Sequence, residues 1–461
     1  MHNLKLLVGI LTCCLLIQGC GSDDSETTDS GTQTPEDNND NTNGETGNGN
    51  ETDPAILSSW IINTSERSVV LREDGNGILT NVQSATETTA NNEDFVRVQA
   101  TGIPDYQVTM TQAIIDTLNN RQQAADDFVS GGTSASVGDV IDFGEDIGYK
   151  NTQQQGCVVN EGKGYWPPGP GCPLRQEKDN YFPVTPTNAS ENCETGLGAV
   201  GYAVNGVSIY NWSDGTYYDS NKQDGISENV WQPLAPFAES NDVDICGGHA
   251  TSQDGGADYH HHFYSSCWGE VAGEDNTGHS EVIGFAADGY AVYGPWHDTN
   301  VLAKSSWIAR DYENPASNSG CGVAGKRTCV LVDQYDLSQG TEDADYDGPD
   351  TSGTYTSQSG NEFDATSGFF FEDYYYDANA SSASSGDGEE YLDQHNGHSH
   401  DDLGYHYHVT VSDAETLTPA FPFIIGPTLK GEVASQATFN CNTGGMGPGP
   451  GPGPGDMQPP M

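Results

Sequence analysis

Histidines that could hold a metal ion are concentrated in two short windows of the chain. Nine of the twelve histidines lie between 249 and 262 or between 395 and 408. In each window an aspartate stands five residues before a histidine that follows a glycine, and a Tyr-His-x-His segment comes after it. The residues with candidate roles are Asp244, His249, His260 and His262 in the first window and Asp393, His398, His406 and His408 in the second.

The spacing within each window suits metal ligation. Side chains two residues apart in a strand point to the same face, so His260 and His262 share a face, as do His406 and His408. With a third ligand, His249 or His398, each set would resemble a three-histidine zinc or copper site with an open position. Asp244 and Asp393 would be direct ligands or would orient the imidazoles. The sequence therefore predicts a transition-metal cofactor.

Two other interpretations of the windows stay open. The same ligands could serve a metal-dependent hydrolase or oxidoreductase, with Asp or Tyr groups moving protons. Alternatively, the histidines could be structural within a surface interaction module whose protein partner the sequence does not identify. Metal stoichiometry separates the last interpretation from the other two. We also expect the two windows to converge on a shared cleft, and His297, which lies outside both, to matter little to metal binding.

A repeated hairpin must position these windows. Residues 200–210 (VGYAVNGVSIY) and 283–293 (IGFAADGYAVY) share their glycine, aromatic, alanine, turn and final tyrosine positions. The Asn-Gly and Asp-Gly dipeptides predict two-residue turns in which both positions have positive φ. Elsewhere, short β-branched and aromatic runs alternate with turn residues. We predict a mainly β fold of antiparallel sheets and hairpins, internally duplicated, with long loops and few helices; residues 110–122 are the best helical segment.

The second window also carries a family resemblance. Residues 404–409 (GYHYHV) resemble the signature of the YHYH-domain family of bacterial exported proteins. Supporting segments are VNGVSIYN, CGGH at 246–249, His279-Ser280, ADGYAVYGP at 287–295, LDQHNGH at 392–398 and the run 421–426. The resemblance covers about 180–431. It implies a fold neighbourhood and export, but no defined activity. The first window departs from the signature because His261 replaces the inner tyrosine.

The N-terminus predicts export and lipid anchoring. Residues 6–17 form an apolar run that is shorter than the ~20 residues a membrane-spanning helix needs. The run ends at Ile-Gln-Gly-Cys, which resembles a lipobox, so residues 1–19 are a predicted signal peptide and Cys20 the lipidated residue. Gly21 rather than aspartate follows, which resembles outer-membrane sorting. We expect an outer-membrane lipid anchor as the only membrane contact, with the domain facing the periplasm or the cell surface.

Composition sets the remaining boundaries. Residues 20–56 are polar and acidic and predict a disordered stalk; 57–180 form a β-rich N-terminal region, 181–441 the domain with the His motifs, and 442–461 a Gly/Pro disordered tail. The formal charge of −53 excludes a nucleic-acid partner, because a polyanion repels phosphates. The segment Asp343–Gly348 resembles half of a calcium loop, so a structural calcium is possible.

The cysteines point to an oxidising compartment. Excluding the signal peptide and Cys20, eight of the eleven cysteines remain, and an even count in an exported protein predicts disulfides. We expect the local pairs Cys157–Cys172 and Cys321–Cys329. Cys246 could either pair with Cys267 or bind metal, since it lies within the first His window.

Overall fold

The computed structural model describes residues 54–71, 75–150, 171–218, 230–252, 256–383, 388–400, 403–434, 439 and 441–442. The predicted signal peptide, Cys20, the stalk up to residue 53, Cys157 and the tail from 443 onward lie outside these ranges. Ile56, assigned to the stalk by the sequence, is buried in the core with 2 % exposure. The folded part therefore includes the last stalk residues.

The described residues form a mainly β protein, as predicted. The five helices are α1 (Pro54–Ser58), α2 (Gln112–Asn119), α3 (Ala124–Asp127), α4 (Ala235–Ala238) and α5 (Ser266–Ala272), and 3-10 segments span Leu337–Gln339, Phe371–Asp373 and Ala380–Ala383. Helix α2 falls within the predicted helical segment, and the Thr111 side chain caps it by accepting from the Ile114 N–H. None of the helices in the described ranges has the length and apolarity needed to cross a membrane.

The strands are short and numerous. Up to the first His window the strands are β1 (Ser68–Val70), β2 (Gly77–Leu79), β3 (Val82–Ala90), β4 (Glu93–Ala100), β5 (Gln107–Thr109), β6 (Val140–Asp142), β7 (Lys178–Pro183), β8 (Asn188–Thr195), β9 (Ala199–Ala203), β10 (Ser208–Tyr210), β11 (Gly248–Ala250) and β12 (Tyr259–His261). After it come β13 (Val282–Ala286), β14 (Ala291–Tyr293), β15 (Trp296–Asp298), β16 (Val301–Leu302), β17 (Trp307–Ala309), β18 (Cys329–Leu331), β19 (Thr341–Asp343), β20 (Thr354–Thr356), β21 (Glu362–Asp364), β22 (Tyr374–Tyr376), β23 (Gly397–Ser399), β24 (Tyr405–His408), β25 (Thr428–Gly431) and β26 (Cys441–Asn442).

An eight-stranded sheet carries both His windows, in the order β11-β12-β10-β9-β13-β14-β24-β23. The order reads the same from either edge: a His hairpin, then the two strands of a repeat hairpin. The hairpins β9–β10 and β13–β14 meet through the antiparallel pair β9–β13. The second strand of each His hairpin pairs in parallel with the second strand of a repeat hairpin: β12 with β10, and β24 with β14. The internal duplication is therefore a pseudo-twofold arrangement about the centre of the sheet.

The two repeat turns are built alike but differ from the predicted type. Gly206 and Gly289 have positive φ (81° and 89°), whereas Asn205 and Asp288 do not. Instead, the Asn205 and Asp288 side chains accept from the backbone N–H two residues later, at 3.2 Å in both turns. One left-handed glycine therefore suffices, as in a longer loop closed by a type I turn.

One hydrophobic core joins the central sheet to the region before it. Trp60 packs on Phe182 of β7 and on Phe285 of β13, with ring centroids 5.3 and 5.1 Å apart. Strands β3, β4 and β7 form a second sheet, whose buried Val96 and Val98 belong to the same core. The N-terminal β-rich region thus shares its core with the domain that carries the His motifs.

Disulfides fasten the loops and the C-terminal strand. The predicted pair Cys321–Cys329 is formed, and Cys246 pairs with Cys267. Cys193 of β8 pairs with Cys441 of β26, 248 residues later, a pairing that the sequence did not indicate. Cys172 is disulfide-bonded, while the Cys157 half of the predicted pair lies outside the described residues.

Candidate metal sites

The first His window forms a buried three-histidine group, here called site A (His249, His260 and His262). His249 of β11 lies directly opposite His260 of β12 in the ladder, and His262 follows β12 on the same face as His260. The three imidazoles are 4 %, 3 % and 6 % exposed. Their ligand atoms all lie within 4.8 Å of one another, so the hairpin alone assembles the set that the sequence predicted.

Within site A, two imidazole nitrogens face each other. The Nε2 atoms of His260 and His262 are 3.1 Å apart. Each Nδ1 donates to a backbone carbonyl, His260 to Asp258 at 2.9 Å and His262 to Asn211 at 2.5 Å. Because a carbonyl can only accept, both protons of the neutral rings are on Nδ1. The two facing Nε2 atoms are therefore bare lone pairs.

A carboxylate that the sequence analysis missed lies beside two histidines of site A. Glu239, the residue that ends α4, places Oε2 3.2 Å from His249 Nε2 and 3.4 Å from His262 Nε2. Burial raises its pKa to about 7, and His262 opposes that shift. Glu239 stands ten residues before His249 in no recognisable spacing, so only the packing of α4 against the sheet brings it to the site.

The second His window forms site B (His279, His398, His406 and His408). His398 of β23 lies opposite His406 of β24, which repeats the pairing in site A. His279 is added from the loop before β13, and its Nε2 lies 3.2 Å from the Nε2 atoms of both His406 and His408. His406 and His408 are 1 % and 0 % exposed. The ligand atoms of all four residues lie within 4.8 Å of one another.

The same proton arrangement recurs in site B. Each ring donates its Nδ1 proton to a main-chain carbonyl, at distances of 2.7 to 3.0 Å, in the pairs His279–Ser280, His398–Glu389, His406–Gly404 and His408–Gly294. The buried Nε2 of His398 has no hydrogen-bond partner within the described structure. Four Nε2 lone pairs therefore point inward together.

Burial keeps these imidazoles uncharged. Desolvation lowers the pKa of His406 to about 3 and of His398 to about 4, and it lowers the pKa of His408 and His260 well below 6.5. Neighbouring histidines push these values in the same direction. Neutral imidazole is the form that binds metal.

The two aspartates of the windows hold the turns rather than the imidazoles. Asp244 accepts from the Cys246 and Gly248 N–H groups and from the Tyr259 hydroxyl. Asp393 likewise accepts from the N–H groups of His395 and Gly397 and from the Tyr405 hydroxyl. In the structure these aspartates therefore bind turn N–H groups and tyrosine hydroxyls, and not the imidazole rings of the two sites. They cap each hairpin turn and anchor the tyrosine that precedes the His pair.

The departure from the signature at His261 is a packing substitution. His261 points away from site A, stacks on Trp268 and lies 2.8 Å from the Tyr106 hydroxyl through Nε2. At the equivalent place in the second window, Tyr407 donates to Asp288 at 2.6 Å. The inner residue of each motif thus serves the core, and the two flanking histidines face the site.

The expectation of one shared cleft is wrong. Four strands separate β12 from β24, so the two His strands are about 24 Å apart at ~4.8 Å per strand. The repeats join through β9 and β13, which places the His hairpins at opposite edges. Cys246 is in a disulfide and is therefore not free to bind metal. In the segment that resembles a calcium loop, Asp343, Asp345 and Asp347 are exposed and do not form one of the ligand groups found among the described residues.

A third group adjoins site B and includes His297, which lies outside both His windows. The outer group consists of His297, His398 and His400, whose ligand atoms lie within 4.8 Å of one another. It shares His398 with site B. His297 comes from β15 and His400 from the residues just after β23, so no sequence spacing relates all three.

Comparison with known proteins identifies the domain. The family profile described as "YHYH protein" matches residues 179–414. The chain belongs to the YHYH family. The matched region contains the whole eight-stranded sheet and every residue of sites A and B. The YHYH motif proper is β24, whose two histidines are site B ligands and whose two tyrosines bind Asp393 and Asp288. No curated protein and no solved structure matches this chain.

Proposed function

We propose that this YHYH protein binds transition-metal ions, zinc or copper, at two separate sites. The observation that carries the proposal is the set of facing Nε2 lone pairs, since every ring of the two sites except His249 donates its Nδ1 hydrogen to a backbone carbonyl. Bare lone pairs at 3.1 to 3.2 Å repel one another in a dry interior. A cation between them would turn that repulsion into ligation.

The spacing also fits the size of such an ion. Zinc–imidazole bonds are about 2.0–2.1 Å long, so two nitrogens of a tetrahedral site are separated by about 3.3 Å. The Nε2 separations in both sites are close to this value. The Nδ1–carbonyl bonds are the outer contacts that usually fix the tautomer and orientation of metal-ligating histidines.

The sites differ in charge. Site A combines three imidazoles with the Glu239 carboxylate, whereas site B presents four neutral imidazoles. Imidazole ligands suit zinc, copper, iron and nickel, and softer thiolate ligands are absent from both groups as the structure describes them. We infer a single bound ion in each site, with Glu239 reducing the net charge only in site A.

Metal analysis of the untagged protein tests this proposal. We expect two ions per chain, and one ion after either double substitution, His260→Ala with His262→Ala or His406→Ala with His408→Ala. The matched control is His395→Gln, because His395 lies in the second window but hydrogen-bonds to Thr428. The control should keep both ions.

Two results would contradict the proposal. One is protein that contains no metal after purification and gains no thermal stability from added zinc or copper, since an ion that binds only the folded state must stabilise it. The histidines would then be structural, as in an interaction module. The other is a control variant that loses metal as completely as the double variants.

We propose in addition that the domain is exported and anchored by a lipid on Cys20. The support is the short apolar run ending in a lipobox-like sequence, together with membership of the YHYH family. We expect incorporation of a labelled fatty-acid precursor into the wild-type protein but not into Cys20→Ala. Because the cysteine and not the fold carries the label, the variant should retain its metal, and label in the variant would disprove the anchor.

A further inference from the structure

We propose that the outer group is a loading site for site B: it takes the metal ion from solvent and passes it inward through His398. The inference rests on the proposed metal binding at site B. It concerns the route and rate of loading, which equilibrium stoichiometry does not measure. Its failure is therefore distinguishable from failure of the proposed function.

The outer group has the geometry of a second, shallower ligand set. The rings of His297 and His400 have centroids 4.4 Å apart, and the His398 ring lies 5.4 Å from His297 and 5.7 Å from His400. In the outer group His400 and the shared His398 are partly exposed and His297 is 8 % exposed, whereas in site B His279 is partly exposed and His406 and His408 are 1 % and 0 % exposed. The Nδ1 atom of His297 is buried and has no hydrogen-bond partner among the described groups.

His398 can serve only one ion at a time. Its Nδ1 proton is donated to the Glu389 carbonyl at 2.7 Å, so Nε2 is the single ligand atom it offers. His398 belongs both to the outer group and to site B, and with Nδ1 engaged it could offer only Nε2 to an ion in either. Two ions bound simultaneously through His398 would require loss of the Glu389 hydrogen bond. The shared ligand therefore indicates sequential occupation by one ion.

The imidazoles form a continuous path between the two positions. His400 stacks on His279 with centroids 5.2 Å apart, and the His398 ring lies 5.0 Å from His406 and 5.2 Å from His408. Transfer would exchange ligands while the bond to His398 Nε2 is kept. The bonds to His297 and His400 break as those to His279, His406 and His408 form, and neither a proton nor an electron moves.

Site A provides an internal comparison, because no such group adjoins it among the described residues. By the repeat offsets, the positions equivalent to His400 and His297 are Thr251 and Asp214, and neither is in a ligand group of the described residues. The outer group is therefore a feature of one edge of the sheet, and its removal should alter the loading of site B alone.

The test is the rate at which metal-free full-length protein binds Co²⁺, followed by visible absorption after rapid mixing. The wild type is compared with His297→Gln, His400→Gln and the double variant, each in the background His260→Ala with His262→Ala so that only site B contributes. We expect loading to be several-fold slower in the double variant, with an unchanged final spectrum and stoichiometry. Circular dichroism of each variant confirms folding.

Three results would overturn the inference. Equal loading rates in the variant and its background would show that the outer group plays no part. A final spectrum that changes in His297→Gln or His400→Gln would make that residue a permanent ligand rather than a loading residue. Two Co²⁺ ions bound simultaneously at this edge would replace sequential occupation with a two-metal centre. As a check on the background, the loading of site A in otherwise wild-type protein should keep its rate when His297 and His400 are replaced.

Discussion

His260, His261 and His262 are consecutive residues with two different roles, which illustrates how strictly strand geometry divides side chains. His260 and His262 turn their Nε2 atoms toward each other, while His261 stacks on Trp268 in the core. Alternation in a strand predicts this division. It does not predict that Glu239 lies at site A or that His279 lies at site B, because both residues come from segments outside the His hairpins.

Substitution of His261 should therefore separate stability from metal binding. His261→Leu fills the space but leaves the buried Tyr106 hydroxyl without its 2.8 Å partner. A buried hydrogen bond of this kind contributes about 0.5–1.5 kcal/mol, so we expect a loss of that size in the free energy of unfolding of the metal-free protein, measured with urea. The variant should still bind metal at site A, and its loss there would make His261 part of the site.

At the scale of elements, an aspartate caps the turn of each His hairpin. Each repeat hairpin ends in a tyrosine whose ring packs against a histidine of the neighbouring site. Tyr210 stacks on His260 with centroids 3.8 Å apart, and its repeat equivalent Tyr293 lies 4.7 Å from His406. These placements follow from local sequence. The placement of the 3-10 segment Phe371–Asp373 does not follow from local sequence. Its Glu372 and Asp373 side chains bind Gln232 and Arg327, which are distant in the chain.

That segment makes folding stability depend on pH through Glu372. Its carboxyl accepts from the N–H and the side-chain amide of Gln232, and burial raises its pKa from 4.5 to about 8. A raised folded-state pKa contributes stability that is fully present below 4.5 and is lost as pH rises through about 8. Glu372→Gln should therefore reduce the fall in unfolding free energy between about pH 5 and about pH 9.

The matched control for Glu372 is Glu342→Gln, because Glu342 is an exposed residue of β19. Urea unfolding at both pH values should give the control the same pH dependence as the wild type. If Glu372→Gln behaves like the control, the Glu372 carboxyl is not responsible for the effect.

For the whole molecule, the pseudo-twofold sheet predicts two sites that act independently. They are about 24 Å apart at the strand spacing of a sheet and share no ligand. We expect the affinity of site A, measured by calorimetric titration, to be the same in the wild type and in His406→Ala with His408→Ala. The stability losses of the two double variants should add to within ~0.5 kcal/mol, as is usual for distant sites. A clear departure from additivity would show coupling through the sheet.

The sequence alone determined the features that depend on short stretches of chain: the mainly β class, the repeated hairpins, the Tyr-His-x-His strands, helix α2 and the Cys321–Cys329 loop. Strand alternation and turn chemistry act over a few residues, so spacing reveals them. Only the tertiary structure decided the order of the strands. That order placed the windows at opposite edges of the sheet. The packing around it brought Glu239 to site A and His279 to site B, and it assembled the outer group with His297. It also placed Asp244 and Asp393 in hydrogen bonds with tyrosine hydroxyls. These contacts depend on which edges and loops pack together, and that choice is made by the shared core rather than by any residue spacing.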